Sequence, residues 1–367
     1  MQGCRFERDH DDCCDRTPVK ILIVRVSSLG DVVHNMPMVA DILRHHPQAQ
    51  IDWVVEEGYA SLVRLNRGVR NVIPFALRRW RKTLLSAATR TEMADFRRLL
   101  RREAYDFVFD TQGLIKTGVV MGLARLAPGG KRIGLGNATE GSGYEGVSRI
   151  FHTTSVQVNT RSHAVARARL VAAAALGYPV AGPADFNLRA PDDLPRRLSD
   201  PTTSTPPPWL PSTPYAVFFH ATARAAKLWA AANWIPVAQQ LAERHLPVLL
   251  PWGNAVEKQA AEHLAATMPN ARVLPKLSTI DAVILAQRAA LVIGVDSGLT
   301  HIAAAFCRPT IELYCASPRW KTEGDWSPNI INLGDDGKPP AVAEVLQAIT
   351  NLQGVLCDAS SVRVNTA

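Results

Sequence analysis

The chain has 367 residues, 47% hydrophobic and 20% charged, which is ordinary globular composition and enough length for about two domains with their own cores. No apolar run approaches the roughly 20 residues that cross a bilayer, and the N-terminus lacks a signal-peptide core, which argues against export. A formal net charge of +8 favours polyanionic partners: nucleic acid, an anionic membrane surface or phosphorylated substrates.

Residues 1–18 are polar and aperiodic and read as a disordered leader. Cys4, Cys13 and Cys14 lie there, whereas Cys307, Cys315 and Cys357 are scattered. No C-x-x-C pair exists, and a chain of this size needs no disulfide staples, so free thiols in a reducing compartment are expected. Cys13-Cys14 with His10 leaves a metal site as the lesser alternative to a structureless leader.

From Val19 onward, short apolar runs alternate with helical patterns. "VKILIVRV", "IDWVV" (51–55), "NVIPF" (71–75) and "YDFVFD" (105–110) read as strands, with helix-length segments such as 38–45 and 92–103 between them. Such runs lack in/out alternation, so they predict a parallel sheet covered on both faces. Residues 187–214 carry eight prolines, too many for a helix or central strand, and read as a linker. The alternation then resumes. Strands are expected at 215–219, 247–251 and 290–295, and "TIELY" (310–314) closes the set; helices are expected at 234–244, 255–267, 298–306 and 341–352. The organisation predicted is two parallel α/β domains, 19–186 and 215–353, with a frayed tail from 354 to 367. Ligands in such sheets bind beyond the carboxyl ends of the strands, so polar strand ends of both halves should converge on one cleft.

Five stretches carry candidate chemistry. In "VRVSSLGDVVHNMP" (24–37), Ser27, Ser28 and Gly30 turn the chain after the first strand, and Asp31 sits at or near a helix N-cap. Only one glycine is present and G-K-[ST] is absent, so this is neither a dinucleotide fingerprint nor a P-loop. Asp31 either caps its helix or stands at the cleft mouth as a base. Asp110 and Gln112 end the fourth strand, and Gly113 is expected to open the next helix; a plain turn is the alternative. His220, Thr222, Arg224 and Lys227 follow the first strand of the second half, where a diphosphate would meet N–H groups, a hydroxyl and an ammonium. In "VIGVDSGLTHIAAAF" (292–306), Asp296 ends a buried strand, Ser297 and Gly298 turn the chain, and Thr300 and His301 enter a helix whose start attracts phosphate. Finally, residues 61–104 hold twelve Arg or Lys against three acids, centred on Arg78, Arg79, Arg81 and Lys82 around a tryptophan. That stretch is either a solvated face or a surface for lipid headgroups or phosphosugars; no RNA-binding signature accompanies it.

Taken in order, "VRVSSLGDVVHNMP", "DWVVEEGY", "RRWRK", "DTQGLIKTG", "FFHATARAAKLW", "LPWGNAVE" and "VDSGLTHIAAA" resemble the bacterial lipopolysaccharide heptosyltransferases of glycosyltransferase family 9, from Val19 to about Leu352. "VVEEGYA" and "RRWRK" favour the branch that adds the first heptose to the Kdo-lipid A inner core. The resemblance implies a GT-B fold, two Rossmann-like parallel α/β domains facing a cleft. It implies an inverting transfer without a metal cofactor, from ADP-L-glycero-β-D-manno-heptose to Kdo2-lipid A. It implies an enzyme peripheral on the cytoplasmic face of the inner membrane of a Gram-negative bacterium. By position, Asp31 would be the catalytic base and Lys227 the cation on the donor phosphates, with Thr222 beside it. Glu257 would hold the adenosine ribose, the Leu277 backbone would meet adenine, and Asp296 would hold the heptose hydroxyls, followed by Ser297, Gly298, Leu299, Thr300 and His301. The acceptor would meet Ser27, Ser28, Gly30, Arg78, Arg79, Arg81, Lys82, Asp110 and Gln112. The chain departs from the family at Ala223, where a second hydroxyl is usual, and at Ala225 and Ala226, where acids are frequent. The second heptosyltransferase, a nucleotide-sugar epimerase of the same fold and a non-catalytic anion-binding protein are the alternatives. The missing glycine fingerprint argues against a dinucleotide oxidoreductase.

Overall fold

The computed structural model describes residues 18–189, 207–268 and 270–352; the leader up to residue 17, the centre of the Pro-rich segment and the tail lie outside the described residues. The first half holds strands β1 (Lys20–Val24), β2 (Gln50–Glu56), β3 (Val69–Phe75), β4 (Tyr105–Asp110), β5 (Leu126–Leu135) and β6 (Thr154–Val156). Its helices are α1 (Leu29–Asn35), α2 (Pro37–His45), α3 (Ala60–Val63), α4 (Leu77–Trp80), α5 (Ala87–Leu100), α6 (Ile115–Leu123) and α7 (Ala164–Leu176). The second half holds β7 (Ala216–Phe219), β8 (Val248–Leu250), β9 (Ala271–Val273), β10 (Leu291–Val295), β11 (Thr310–Tyr314) and β12 (Ile330–Gly334). Its helices are α8 (Ala231–Glu243), α9 (Ala255–Thr267), α10 (Thr279–Arg288), α11 (Gly298–Ala305) and α12 (Val342–Asn351).

Each half folds into a six-stranded parallel sheet, in the orders β3-β2-β1-β4-β5-β6 and β12-β11-β10-β7-β8-β9. Renumbered from its own first strand, the second sheet repeats the first. Both have the doubly wound order in which the strand sequence reverses beside the first strand. Those switch points lie between β1 and β4 and between β7 and β10.

Alternation along β1 shows how the layers form. Ile21 and Ile23 point into one apolar cluster and Leu22 and Val24 into another, since successive side chains leave opposite faces. The inner cluster runs from Ile21, Val33 and Val171 to Val217, Val283 and Ile302, so the two halves share a core. The outer faces keep separate cores, around Leu22 and Val54 in the first half and around Trp234 and Leu313 in the second.

Several expectations are corrected. "TIELY" does not close the set, because β12 pairs with it in register from Thr310↔Ile330 to Tyr314↔Gly334. The expected helix at 92–103 runs instead over Ala87–Leu100. Gly113 does not open a helix: it has φ of +72°, and α6 starts at Ile115. A side chain there would also meet the Tyr144 ring at 2.8 Å, so the turn requires glycine twice over. The ends of the proline-rich segment are docked rather than loose. Leu188 forms an antiparallel bridge with Asn66, and Leu210 is buried in the shared core.

A buried ion pair fixes α7 on α2. Arg169 Nε lies 2.6 Å from Asp41 Oδ2, and its guanidinium also donates to the Ala181 and Gly182 carbonyls. Among the described residues, Arg169→Ala leaves Asp41 with the half-exposed Arg44 as its one ion-pair partner. The expected cost is about 3 kcal/mol in urea unfolding; a loss below about 1 kcal/mol would remove the pair from the fold's supports.

Candidate active site

The first wall of the cleft is the turn after β1. Arg25 leaves the strand with a buried guanidinium, which donates to the Thr111 carbonyl and lies 2.6 Å from Asp31 Oδ1. Asp31 is not the N-cap. Ser28 is, and Asp31, at the third helical position, accepts from Ser28 N at 3.0 Å and Ser28 Oγ at 2.8 Å. Arg167 reaches in from α7, 3.9 Å from the same carboxylate. Burial alone would raise the Asp31 pKa, but Arg25, the Ser28 hydrogen bonds and Arg167 outweigh it and hold the carboxyl well below the usual range. The Asp31 side chain remains 37% exposed, so an ionised carboxylate faces the cleft.

Asp110 and Gln112 stand behind this turn, not in the cleft. The Asp110 carboxylate is fully buried and accepts from Gln112 N, Gly113 N and Thr117 Oγ1. Gln112 Oε1 accepts from Val26 N at 3.1 Å and Ser27 N at 3.4 Å. The expected acceptor contacts are thus braces that satisfy the turn's backbone. Ser27 is likewise buried, and its hydroxyl accepts from Lys116 Nζ at 3.1 Å.

The second wall comes from the loops after β7 and β10. Lys227 ends a short 3₁₀ turn and pairs with Asp296, so the expected phosphate cation and the expected sugar-binding carboxylate hold each other. Asp296 also accepts from Ser317 Oγ at 2.6 Å and from His301 Nε2 at 3.0 Å. On its other side, His301 Nδ1 lies 2.9 Å from Glu312 Oε1, and Glu312 Oε2 accepts from Tyr314 OH at 2.9 Å. Burial would lower the His301 pKa, but the Glu312 and Asp296 carboxylates push it up to about 10. Burial and the charge of His301 drive His34, whose ring lies 4.5 Å from that of His301, well below the ordinary histidine value. Burial opposes ionisation of Asp296 as well; His301 and Lys227 still hold it far below its usual value.

The walls touch at two glycines. A Cβ on Gly298 would lie 2.9 Å from Gly30 N, and one on Gly30 would lie 3.3 Å from the His301 ring. A Cβ on Gly298 would also meet the Leu29 side chain at 2.9 Å, so Leu29 and Gly30 pack against the start of α11, while Ser297, Gly298 and Leu299 stay half-exposed. Thr300 is fully buried and its hydroxyl donates to the Val295 carbonyl at 2.8 Å, with Ser297 Oγ 3.0 Å away. Leu299 packs against the shared core. Lys321 spans the cleft, donating to the Gly141 carbonyl at 2.6 Å. Burial, then Arg167 and Lys227, pull its pKa down, while Asp31 and Asp296 oppose them, which places it among the charges of both walls.

The remaining candidates flank this centre. Thr222 is half-buried in the loop before Lys227. Glu257 accepts from Gly253 N and Asn254 Nδ2, both at 2.7 Å, and its own carbonyl lies 3.5 Å from His220 Nε2. Leu277 precedes α10 and packs against the shared core. Arg78, Arg79, Arg81 and Lys82 are exposed beyond the carboxyl end of β3, on the same side of the sheet as Asp31. Arg79 is committed to Glu57 at 3.0 Å and Glu92 at 2.7 Å.

Sequence reasoning missed Arg25, His34, Lys116, Arg167, Glu312, Ser317 and Lys321. Two left a signal: Arg25 and Glu312 are charges within apolar strand runs, and a charge there needs a buried partner. With His301 protonated, the cations Arg25, Arg167, Lys227, His301 and Lys321 outnumber the carboxylates Asp31, Asp296 and Glu312, so the cleft is built to receive an anion.

Two Rossmann-like halves with a charged cleft between their switch points define the GT-B class of glycosyltransferase fold. A model of glycosyltransferase family 9 (heptosyltransferase) matches residues 93–346, and the chain belongs to that family. It is 35% identical over 319 residues to lipopolysaccharide heptosyltransferase 1 of Pseudomonas aeruginosa, covering 87% of this chain and 84% of that protein. It is 36% identical over 296 residues to lipopolysaccharide heptosyltransferase 1 of Escherichia coli K12, covering 81% of this chain and 88% of that protein. The solved E. coli heptosyltransferase WaaC with ADP superposes with a TM-score of 0.76 at 32% identity, covering 91% of this chain and 99% of that one.

The His301 cluster makes a pH prediction. A raised histidine pKa stabilises the fold fully below the ordinary value of 6.5, and that contribution is lost as pH climbs through about 10. NMR of the imidazole should therefore show His301 still protonated at about pH 8. In Glu312→Gln the titration should shift down by at least about one unit, and the stability gap to wild type should narrow as pH rises toward 10. A neutral His301 at about pH 8 contradicts the assignment.

Proposed function

We propose that the protein transfers L-glycero-D-manno-heptose from ADP-heptose to a Kdo residue of Kdo2-lipid A, in assembly of the lipopolysaccharide inner core. The observation that carries this reading is an ionised carboxylate, Asp31, in a cleft whose two walls, meeting at the Gly30–Gly298 contact, carry more cations than carboxylates. Family membership and the two lipopolysaccharide heptosyltransferases 1 support the sugar and the pathway step, and the E. coli relative solved with ADP supports the leaving group.

In this mechanism the acceptor hydroxyl oxygen bonds to the anomeric carbon as the bond from that carbon to the β-phosphate oxygen breaks. The hydroxyl proton passes to Asp31, and ADP leaves with the electron pair. A single displacement inverts the anomeric centre. Asp31 is a weak base because Arg25 and Ser28 hold it. That suits a late proton transfer: the hydroxyl becomes strongly acidic only once its oxygen has begun to bond to carbon. Lys227, Lys321 and Arg167 offset the diphosphate charge, Lys227 by exchanging Asp296 for phosphate as the donor binds, so that the cations stand in place before the bond breaks. Asp296, held by His301 and Ser317, is placed to accept from heptose hydroxyls when Lys227 turns to phosphate. Thr222 and Glu257 would add donor contacts, and the Leu277 backbone would meet adenine. These cations supply the role a divalent ion has elsewhere, so we propose that no metal is required. The exposed Arg78, Arg81 and Lys82 fit the acceptor's anionic groups and peripheral contact with the cytoplasmic leaflet.

Asp31→Asn keeps the capping geometry and removes the base. It should lower kcat by about 10²–10⁴-fold while ADP binds as in wild type; near-normal turnover would remove Asp31 from the chemistry. Because Asp31 stays ionised, the wild-type rate should show no acid limb from this group between about pH 5 and 8. Transfer should also survive EDTA and dialysis, and a requirement for added Mg²⁺ would contradict the metal-free mechanism.

A further inference from the structure

Between α5 and α6 lies an open groove of about 1620 Å³, separate from the charged cleft. Its floor is Phe75, Trp80, Phe96 and Val120, all buried. Its sides carry large apolar side chains that remain exposed among the described residues: Met93 and Leu99 on α5, and Ile115, Val119 and Leu123 on α6. The last three recur every fourth residue, which places them in one stripe along the helix. A soluble surface rarely leaves such a contiguous apolar patch exposed without a ligand for it.

The rim has the opposite character. Arg81, Arg97, Arg98, Arg101, Arg102 and Lys116 border the groove with Glu145 as the one acid of its lining, and of these Arg98 is paired with Asp95 at 2.8 Å. An apolar trough under a cationic rim is complementary to an amphiphile with acyl chains and anionic headgroups. The groove also has a direction. Lys116 lines it and donates to Ser27 Oγ at 3.1 Å, in the turn that carries Asp31. One end of the groove therefore abuts the turn that carries Asp31.

We propose that this groove seats an acyl chain of the anionic glycolipid acceptor, with the acceptor's phosphates on the arginine rim and its sugar led past Lys116 to Asp31. The proposal rests on the reading of the enzyme as a transferase to a lipid-linked sugar, and it adds a second contact region that recognises the lipid rather than the sugar.

Trp80, on the groove floor, gives a direct probe. Dibrominated stearate, an anionic acyl chain carrying a contact quencher, should quench tryptophan fluorescence in wild type and much less in Trp80→Phe. Acylated acceptor should displace the probe, and fully deacylated acceptor should not. The double variant Val119→Ser, Leu123→Ser changes only exposed positions. It should raise KM for acylated acceptor by about tenfold, leaving KM for deacylated acceptor and for the donor unchanged. Equal quenching in Trp80→Phe overturns the proposal, as does equal displacement by both acceptors. Displacement by anionic phospholipid vesicles as effective as by acylated acceptor also overturns it, because the groove would then contact the bilayer. If acylated acceptor displaces the probe but receives no sugar, the groove assignment stands and the transferase reading fails. If transfer is normal and the double variant does not discriminate, the groove assignment alone fails.

Discussion

The structure depends on the contact between Gly30 and Gly298. Two helix starts, one from each half, meet where any side chain would intrude on the other half's backbone or on His301. That close approach merges the inner faces of both sheets into one core and brings the two switch points together. It puts Asp31 on one side of the cleft and the Lys227–Asp296–His301 cluster on the other. It also packs Leu29 and Gly30 against the start of α11, which stays half-exposed at Ser297, Gly298 and Leu299 beside the side-chain cations.

Charge distribution then follows from burial. A charge in the interior is tolerated when paired and hydrogen-bonded, and each half solves this separately. In the first, Arg25 is tied to Asp31 and to a carbonyl. In the second, a chain runs from Lys227 through Asp296, His301 and Glu312 to Tyr314. Glu312 keeps His301 cationic, His301 keeps Asp296 ionised, and Lys227 can exchange a carboxylate for a phosphate without leaving Asp296 unpaired. His34, its ring tilted against that of His301, is held toward the neutral form first by burial and then by the charge of His301.

The fold was legible wherever burial on both faces produced long apolar runs: β1, β2, β4, β10 and β11 all read as strands. It was illegible where pattern and structure diverge. β5 contains Pro128, Gly129 and Gly130, which break a strand pattern, and β6 and β9 have only three residues each. β12 begins at Ile330 after a loop and carries too short an apolar signal. For the site, strand-end position brought out Asp31, Lys227, Asp296 and His301, because chemistry in such sheets gathers at carboxyl ends. The same rule also picked out Asp110, Gln112 and Thr300, whose polar atoms bond nearby backbone and hydroxyl groups. Which carboxylate a given arginine meets is a tertiary fact, so the roles of Arg25, Arg167 and Glu312 came only with the coordinates.

The central claim is a direct displacement between Asp31 and the cationic wall, with no covalent sugar–enzyme intermediate and no metal. The most direct measurement is the anomeric configuration of the product, by NMR, when ADP-heptose and Kdo2-lipid A are supplied, together with ADP release followed with and without acceptor. The account predicts acceptor-dependent ADP release and one added heptose of inverted configuration. Retained configuration, or ADP release at the same rate without acceptor, would contradict it.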